Sequence, residues 1–271
     1  MNVFQKIMIF FDGQMKTPTN FGWFHIMCLA LVVLITVLLC VFARKYGDKG
    51  ARIVVLTYSI LTIVLEIYKM LNYSYNPHTN VWDFQWYAFP FQFCSTPMYV
   101  GLVAGLLKKG KVQDALYSYL STFALFAGLA VMFYPNDVFV STIGINIQTM
   151  ICHGGMVIVG IYLFACKVVK PNLKTLLKAM IVFAVLSAVA LILNLSLYKA
   201  VAPETFNMFF ISPYYECTLP LLSLVRANTH YVVFLLVYLI GFSLCALIVL
   251  SVAMLVFKII QLLREKKLKQ N

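Results

Sequence analysis

Residues 21–43 read FGWFHIMCLALVVLITVLLCVFA and contain no Asp, Glu, Lys or Arg. Because about 20 consecutive apolar residues in a helix cross the hydrocarbon core of a bilayer, this stretch predicts a membrane-spanning helix. The rest of the chain has the same character, since 62% of its 271 residues are hydrophobic, 11% are charged and the mean hydropathy is +0.90. A soluble domain has about 25% charged residues. The composition therefore excludes the soluble, disordered, collagen-like and disulfide-scaffold classes and predicts a polytopic membrane protein.

Seven stretches long enough to span a membrane follow one another along the chain. They cover residues 21–43, 52–71, 86–107, 114–134, 145–166, 175–197 and 231–257. We therefore predict an all-α fold, a polytopic bundle of seven transmembrane helices, as one domain over residues 21–260. Residues 1–20 show no pattern of a cleavable signal peptide, and residues 261–271 form a basic tail. The N-terminal segment is predicted to be a helix in the membrane interface, because one helical face carries Phe4, Ile7, Met8 and Phe11.

The positions of the basic residues predict the orientation. They concentrate in the first, third and fifth connections between spans and after the seventh span, at Arg44, Lys45, Lys49, Arg52, Lys108, Lys109, Lys111, Lys167, Lys170, Lys174, Lys178, Lys258, Arg264, Lys266, Lys267 and Lys269. The other connections, 72–85, 135–144 and 198–230, together hold only Lys199 and Arg226. Cytoplasmic loops of membrane proteins are enriched in Lys and Arg. We therefore expect a cytoplasmic C-terminus and an outer N-terminus.

The same distribution accounts for the net charge of +12 without a nucleic-acid partner, and none is expected. The Lys-rich character favours a bacterial cell membrane. The outer connections are rich in Tyr, Trp and Phe, which favour the headgroup zone of a bilayer. These connections are therefore predicted to lie at the outer membrane interface.

Few polar side chains interrupt the spans, and ionisable groups within a membrane indicate functional sites. They are Glu66 and Lys69 in the second span, Gln92 and Cys94 in the third, and Gln148, Cys152 and His153 in the fifth, with His25 near the outer end of the first. The third and fifth spans both enter from the outer side. Cys94 and His153 each lie about 8 residues, or about 12 Å, along their helices. The two side chains are therefore predicted to share one depth in the outer half of the membrane.

A thiol and an imidazole at one depth suit nucleophilic catalysis. The thiolate attacks, and an adjacent His takes its proton and later returns it to a leaving group. A carboxylate or an amide can orient that His, and amide N–H groups can donate to an oxyanion. This gives supporting roles to Glu66, Gln92 and Gln148.

Each of these residues also has a structural interpretation. Cys94 is a small apolar side chain suited to packing, and the two glycines after His153 suit a close helix crossing. Glu66 and Lys69 stand three residues apart on one helix face and can neutralise each other.

The cysteines do not form a metal-binding or disulfide pattern. Six of the seven lie in or beside apolar stretches without CxxC spacing, at Cys28, Cys40, Cys94, Cys152, Cys166 and Cys245. We therefore expect no metal and no cofactor.

The segments FPFQFCSTPMYVG (89–101) and HGGMVIVGIYL (153–163) resemble the YwaF family of integral membrane proteins, which shares its fold with the animal transmembrane protein 164. The resemblance implies a seven-helix bundle. From the animal branch it implies a cysteine-dependent acyltransferase acting on phospholipids, with Cys94 and His153 as the catalytic residues. Gln92 stands where the family pattern often has a His, so a second general base is missing.

The favoured function is therefore an integral membrane acyltransferase. Cys94 would attack the ester of an outer-leaflet phospholipid with His153 as base, and the acyl-thioester would pass its chain to a second lipid. The expected partners are membrane lipids, a phospholipid acyl donor and an acceptor. The alternatives are a non-catalytic lipid-binding or transport protein that uses the same outer-leaflet cavity, and a structural or regulatory membrane subunit.

Overall fold

The computed structural model of the chain describes residues 1–270, and helices hold 72% of the protein, which confirms the all-α prediction. The helices are α1 (Val3–Phe11), α2 (Trp23–Leu38), α3 (Gly47–Ser74), α4 (Thr96–Leu106), α5 (Lys111–Tyr119), α6 (Leu125–Phe133), α7 (Ile143–Ala165), α8 (Leu173–Leu197), α9 (Leu222–Asn228) and α10 (Tyr231–Gln270). A short antiparallel hairpin pairs β1 (Tyr75–Asn76) with β2 (Val81–Trp82).

Short stretches of tighter or wider helix join these elements. A π-helical turn extends α2 over Leu39–Ala43, and another joins α5 to α6 over Leu120–Ala124. The 3₁₀ helices are Arg44–Tyr46, Trp86–Ala88 and Met208–Phe210. The second π turn joins α5 and α6 into one continuous helical segment. All five of its residues are buried, so this segment lies in the core.

Within residues 1–270, five helical stretches are long and apolar enough to cross a membrane, which identifies an integral membrane protein. They are Trp23–Ser74, Lys111–Phe133, Ile143–Ala165, Leu173–Leu197 and Tyr231–Leu268. The first of them contains two helices, α2 and α3. They are separate helices because Gly47, at the start of α3, has φ +51°, a conformation that favours glycine and interrupts the helix. The count of seven crossings, the orientation of the termini and the bacterial membrane stay predictions.

The third predicted span differs most from the structure. One helix was expected over 86–107, but irregular chain occupies residues 89–95 and α4 has only 11 residues. Pro97 lies in the first turn of α4, where its missing N–H costs nothing. In the interior of a longer helix its ring would clash with the carbonyl four residues earlier. The prediction of a continuous third span is therefore wrong, and a helical rise does not give the depth of Cys94.

The helix α7 lies at the centre of the bundle, packed against α2, α3 and α6. Its two adjacent glycines allow the neighbouring helices to approach closely. A Cβ atom on Gly154 would lie 2.5 Å from Val32 Cγ2, and one on Gly155 would lie 2.6 Å from Tyr58 Cδ2. The glycines after His153 are therefore packing positions, as the structural interpretation of this motif predicts.

The long connection between α8 and α10 enters the bundle. It was expected at the membrane interface, yet Phe206, Met208 and Phe209 are fully buried. Asn194 of α8 bonds both backbone groups of Met208, with Nδ2 donating to the carbonyl at 3.0 Å and Oδ1 accepting from the N–H at 2.7 Å. Non-helical backbone is tolerated inside a membrane protein where its polar groups are satisfied in this way. The buried part, residues 206–211, is called the re-entrant segment below.

The basic connections meet at one end of the bundle. Lys109, after α4, forms an ion pair with Asp48 at the start of α3, and Lys178 of α8 forms one with Asp114 of α5. The first, third and fifth connections therefore lie together, as the predicted topology requires.

The two ends of the chain extend the bundle. The helix α1 forms as predicted, and the chain after it pairs with the connection before α7, where the N–H of Met15 donates to the carbonyl of Ser141 at 2.7 Å. At the other end α10 continues to Gln270 without a break near residue 260. The last residue of the predicted tail, Asn271, lies outside the described residues. The interfacial position of residues 1–20 and the cytoplasmic position of the tail stay predictions.

Candidate active site

Glu66 is the centre of a buried hydrogen-bonded layer that joins α3, the chain before α4, and α7. Its Oε1 accepts from Lys69 Nζ at 2.6 Å and from Ser95 Oγ at 3.2 Å. Its Oε2 accepts from Gln148 Nε2 at 3.2 Å, and the same amide nitrogen donates to Cys152 Sγ at 3.3 Å. The layer therefore contains two of the predicted supporting residues, and it includes the Glu66–Lys69 ion pair. We call it the Glu66 layer.

An apolar groove of about 220 Å³ runs along α3 beside this layer. The residues that α3 contributes recur at helical spacing and so form one face, Ile63, Glu66, Ile67, Met70, Leu71 and Ser74. The opposite wall consists of Trp82, Phe84, Pro90, Met98 and Tyr99. Among these described lining residues Glu66 alone carries a charge. The groove therefore has the shape and polarity that an alkyl chain requires.

A wider polar chamber of about 580 Å³ adjoins the groove, and Ser74 lines both. Its walls come from α1 and from the hairpin β1–β2, and they include Asp12, His78 and Asp83. The chamber and the groove are two separate spaces that meet at Ser74. Neither Cys94 nor His153 is among the residues that line these two spaces.

Cys94 lies in the turn immediately before α4, whose N-cap residue is Ser95. The N–H groups that begin this helix are already engaged, since those of Ser95 and Thr96 donate to the carbonyl of Gln92 at 2.9 Å and 3.1 Å and Pro97 has none. The thiol is half-buried and lies within electrostatic range of Lys69 and Glu66. The prolines that shorten α4 thus place the cysteine in the turn before a helix and not in the helix interior that was predicted.

His153 is buried in α7, and its ring has one engaged and one free nitrogen. Nδ1 lies 2.8 Å from the carbonyl oxygen of Thr149. A carbonyl only accepts, so Nδ1 carries the hydrogen and Nε2 keeps its lone pair. Nε2 forms no hydrogen bond with any of the residues 1–270. This tautomer is the one that a general base needs.

His25, the other buried histidine, has no free nitrogen. The N–H of Phe21 donates to its Nδ1 at 2.9 Å, so Nε2 carries the hydrogen and donates to the carbonyl of Met132 at 2.8 Å. Both nitrogens therefore hold α2 to the chain around it. Its burial is complete, and its role is structural.

The structure does not join Cys94 to His153 directly. Within the described part of the chain neither Cys94 nor Glu66 forms a hydrogen bond with His153. The hydrogen bond that the structure gives Lys69 is to Glu66, so Lys69 does not bridge the two. The catalytic assignment of the pair stays a prediction.

Gln92 faces the re-entrant segment. Its Oε1 accepts from the N–H of Phe209 at 3.2 Å, and its Nε2 donates to the carbonyls of Asn207 at 3.3 Å and Tyr87 at 3.4 Å. The amide is thus engaged at both ends in holding the chain around Cys94 to the outer connection.

Sequence reasoning gave no role to several polar residues of the site and its surroundings. They are Ser95, Cys152, Asn194 and Asn207. The sequence does indicate Asn194 as a candidate, because it is an amide inside an apolar stretch. Ser95 carried none, since its contact with Glu66 depends on the irregular chain that the prolines impose.

Metal-binding geometry is absent from the residues that the structure describes, where no three His, Cys, Asp or Glu side chains could hold an ion together. All seven cysteines are free.

Nothing among the curated proteins or the solved structures matches the chain. The TMEM164 family model matches residues 20–254, from just before α2 into the last turns of the apolar part of α10. The match includes both motif segments and every residue of the Glu66 layer. It supports the part of the resemblance that concerns transmembrane protein 164, and the YwaF family specifically stays a prediction. The chain belongs to the TMEM164 family.

Proposed function

We propose that this protein is a membrane acyltransferase that moves acyl chains between phospholipids, with Cys94 as nucleophile and His153 as general base. Membership in the TMEM164 family is consistent with a membrane acyltransferase-like role. The observation that carries the proposal is the ring of His153, whose bond to Thr149 leaves Nε2 free to act as a base.

The first half of the reaction forms the acyl-enzyme. Nε2 of His153 takes the thiol proton of Cys94, and the thiolate attacks the ester carbonyl carbon of a phospholipid. The tetrahedral intermediate collapses with cleavage of the bond between that carbon and the glycerol oxygen. The imidazolium returns its proton to this oxygen, and a lysophospholipid leaves. The acyl chain remains on the sulfur of Cys94 as a thioester.

The second half reverses these steps with a different lipid. A hydroxyl of the acceptor gives its proton to Nε2, and its oxygen attacks the thioester carbonyl. The carbon–sulfur bond breaks, the new ester leaves, and the imidazolium returns the proton to the thiolate. No net oxidation or reduction takes place, so the thiol of Cys94 and the imidazole of His153 suffice.

The adjoining cavities support a lipid as substrate. The groove along α3 accepts an apolar chain, and the chamber that shares Ser74 accepts a polar head. Catalytic hydrogen bonds are often long in the absence of substrate and tighten in its complex. The lack of a direct bond between Cys94 and His153 is therefore compatible with the mechanism.

Trapping the acyl-enzyme tests the proposal. Purified protein in nanodiscs would receive a phospholipid with an isotopically labelled acyl chain, and mass spectrometry would locate any acyl group that hydroxylamine removes. We expect the label on Cys94, none in the Cys94→Ala protein, and an unchanged level in Cys245→Ala, a control on α10 outside the layer. Acylation of other cysteines alone, or of none under conditions in which the protein remodels lipid, would contradict the proposed intermediate.

The alternative is a non-catalytic lipid-binding or transport protein. It is favoured by one observation, namely that the groove and the chamber are lined by neither Cys94 nor His153. A photoreactive phospholipid that crosslinks to Met70 or Leu71 without acylation of Cys94 would support this function over the enzyme.

A further inference from the structure

We propose that Lys69 controls the ionisation of Cys94 by cancelling the negative charge of Glu66. Lys69 would be a positioning residue, since it acts through Glu66 and Cys94 rather than on the substrate. The inference rests on the proposed function, because it takes Cys94 as the nucleophile.

The contacts place the ion pair beside the thiol. Lys69 Nζ lies 2.6 Å from Glu66 Oε1, and the same oxygen accepts from Ser95 Oγ at 3.2 Å. Ser95 follows Cys94 directly in the chain, so the Glu66 carboxylate is hydrogen-bonded to the residue next to the nucleophile. The side chains of the pair are 15% and 7% exposed, so water screens their charges weakly.

The pair is costly where it lies. Charged groups inside a membrane bundle are rare, and a buried ion pair adds little stability over well-packed apolar residues. The fold alone therefore gives little reason for its presence. The pair lies on α3 and contacts Ser95 at the start of α4. From there it has an electrostatic effect on any charge that forms on Cys94.

The ionisable groups that face Cys94 come from three helices. They are Tyr58, Glu66 and Lys69 on α3, Tyr119 on α5, and Cys152 on α7. Of these described neighbours Lys69 is the one cation and Glu66 the one carboxylate. The two phenols and the second thiol are neutral near pH 7. Apart from the imidazolium that His153 becomes in the proposed reaction, the charge that a Cys94 thiolate meets is therefore decided by Glu66 and Lys69.

The sign of each charge fixes the sign of its effect. A nearby carboxylate disfavours a thiolate, and a nearby ammonium group favours it. With Lys69 in place the two charges cancel, and the thiolate forms beside a neutral pair. Without Lys69 the thiolate would form beside an uncompensated carboxylate in a poorly solvated site.

The pH dependence of Cys94 alkylation tests this inference without any need for acyl transfer. Protein in nanodiscs would react with iodoacetamide between pH 6 and 11, and mass spectrometry would follow the Cys94 peptide apart from the other cysteines. In Lys69→Met we expect the midpoint of the rate profile to rise by about one pH unit or more, and in Glu66→Gln to fall. The double mutant should return close to the wild type, and Lys69→Arg should stay near it.

A purely structural pair would give a different pattern. Loss of packing would shift both single mutants in the same direction, and the double mutant would not recover. That result, or unshifted midpoints, would overturn the inference. Equal labelling of the Cys245 peptide in every variant reports an intact bundle, and Glu66→Gln, whose midpoint should fall, keeps the test decisive if Lys69→Met folds poorly. Shifted midpoints in a protein without acyl transfer would uphold this inference and reject the proposed function, whereas acyl transfer with unshifted midpoints would do the reverse.

Discussion

Two buried histidines in this chain have opposite hydrogen-bonding states. His25 uses both ring nitrogens to hold backbone groups, whereas His153 uses only Nδ1. Burial alone does not distinguish them, since both are nearly inaccessible. The free Nε2 makes His153 a candidate base. We therefore expect replacement of His153 to affect the reaction specifically.

Single replacements in the catalytic pair should therefore behave as one unit. Cys94→Ala and His153→Ala should each abolish acyl transfer, and the double mutant should lose no more than either alone. Cys94→Ser should be nearly inactive, because a hydroxyl is far less acidic than a thiol. The measurement is transfer of a labelled acyl chain between phospholipids in nanodiscs. Full activity in purified Cys94→Ala would make Cys94 a packing residue and place lipid binding or transport first.

At the scale of elements, the helices were predictable and the chain between them was not. The apolar stretches gave the helices directly, because a bilayer demands about 20 apolar residues in regular structure. The 86–107 stretch has the same composition, and Pro97 suits both the first turn of a helix and a kink within one. Its true position at the start of α4 depends on the path of residues 89–95, which no periodicity encodes.

The re-entrant segment escaped prediction for a related reason. Its aromatic composition is typical of an interfacial loop, and its burial depends on Asn194 in a different helix. Of the site, depth suggested Cys94 and His153. The links from Glu66 to Ser95 and Gln148 required the actual chain path.

The re-entrant segment should depend strongly on that one amide. Asn194→Leu would leave the N–H of Met208 buried without a partner, at a cost of about 1–3 kcal/mol, and would leave its carbonyl with only the long bond from the N–H of Ile211 at 3.4 Å. We expect a lower free energy of unfolding in detergent and faster proteolysis between α8 and α10. Asn228→Ala is the control, because its bond to Leu224 is exposed and should change stability by less than about 0.5 kcal/mol. Equal stability of the two variants would show that packing holds the segment without Asn194.

At the scale of the whole molecule, the distribution of charge predicts the topology. A reporter fused after Asn271 should lie in the cytoplasm, because the basic connections and the tail share one side. A reporter inserted near Asn80, in the exposed turn between β1 and β2, should lie on the outer side. An insertion near Lys109 serves as the internal control and should match the C-terminal fusion. Finding the Asn80 and Asn271 reporters on the same side would reverse the orientation and place the site in the other leaflet.

The length of α10 has a mechanical consequence. Forty helical residues extend about 60 Å, twice the thickness of the hydrocarbon core. The apolar part, residues 231–257, accounts for about 40 Å, so residues 258–270 continue as a stiff rod of about 20 Å beyond it. A flexible tail would let its end lie at a variable distance from the bundle, but a continuous helix keeps its end at a fixed distance. Any molecule that gripped its far end would be held at a set height above the bilayer and would turn with the bundle.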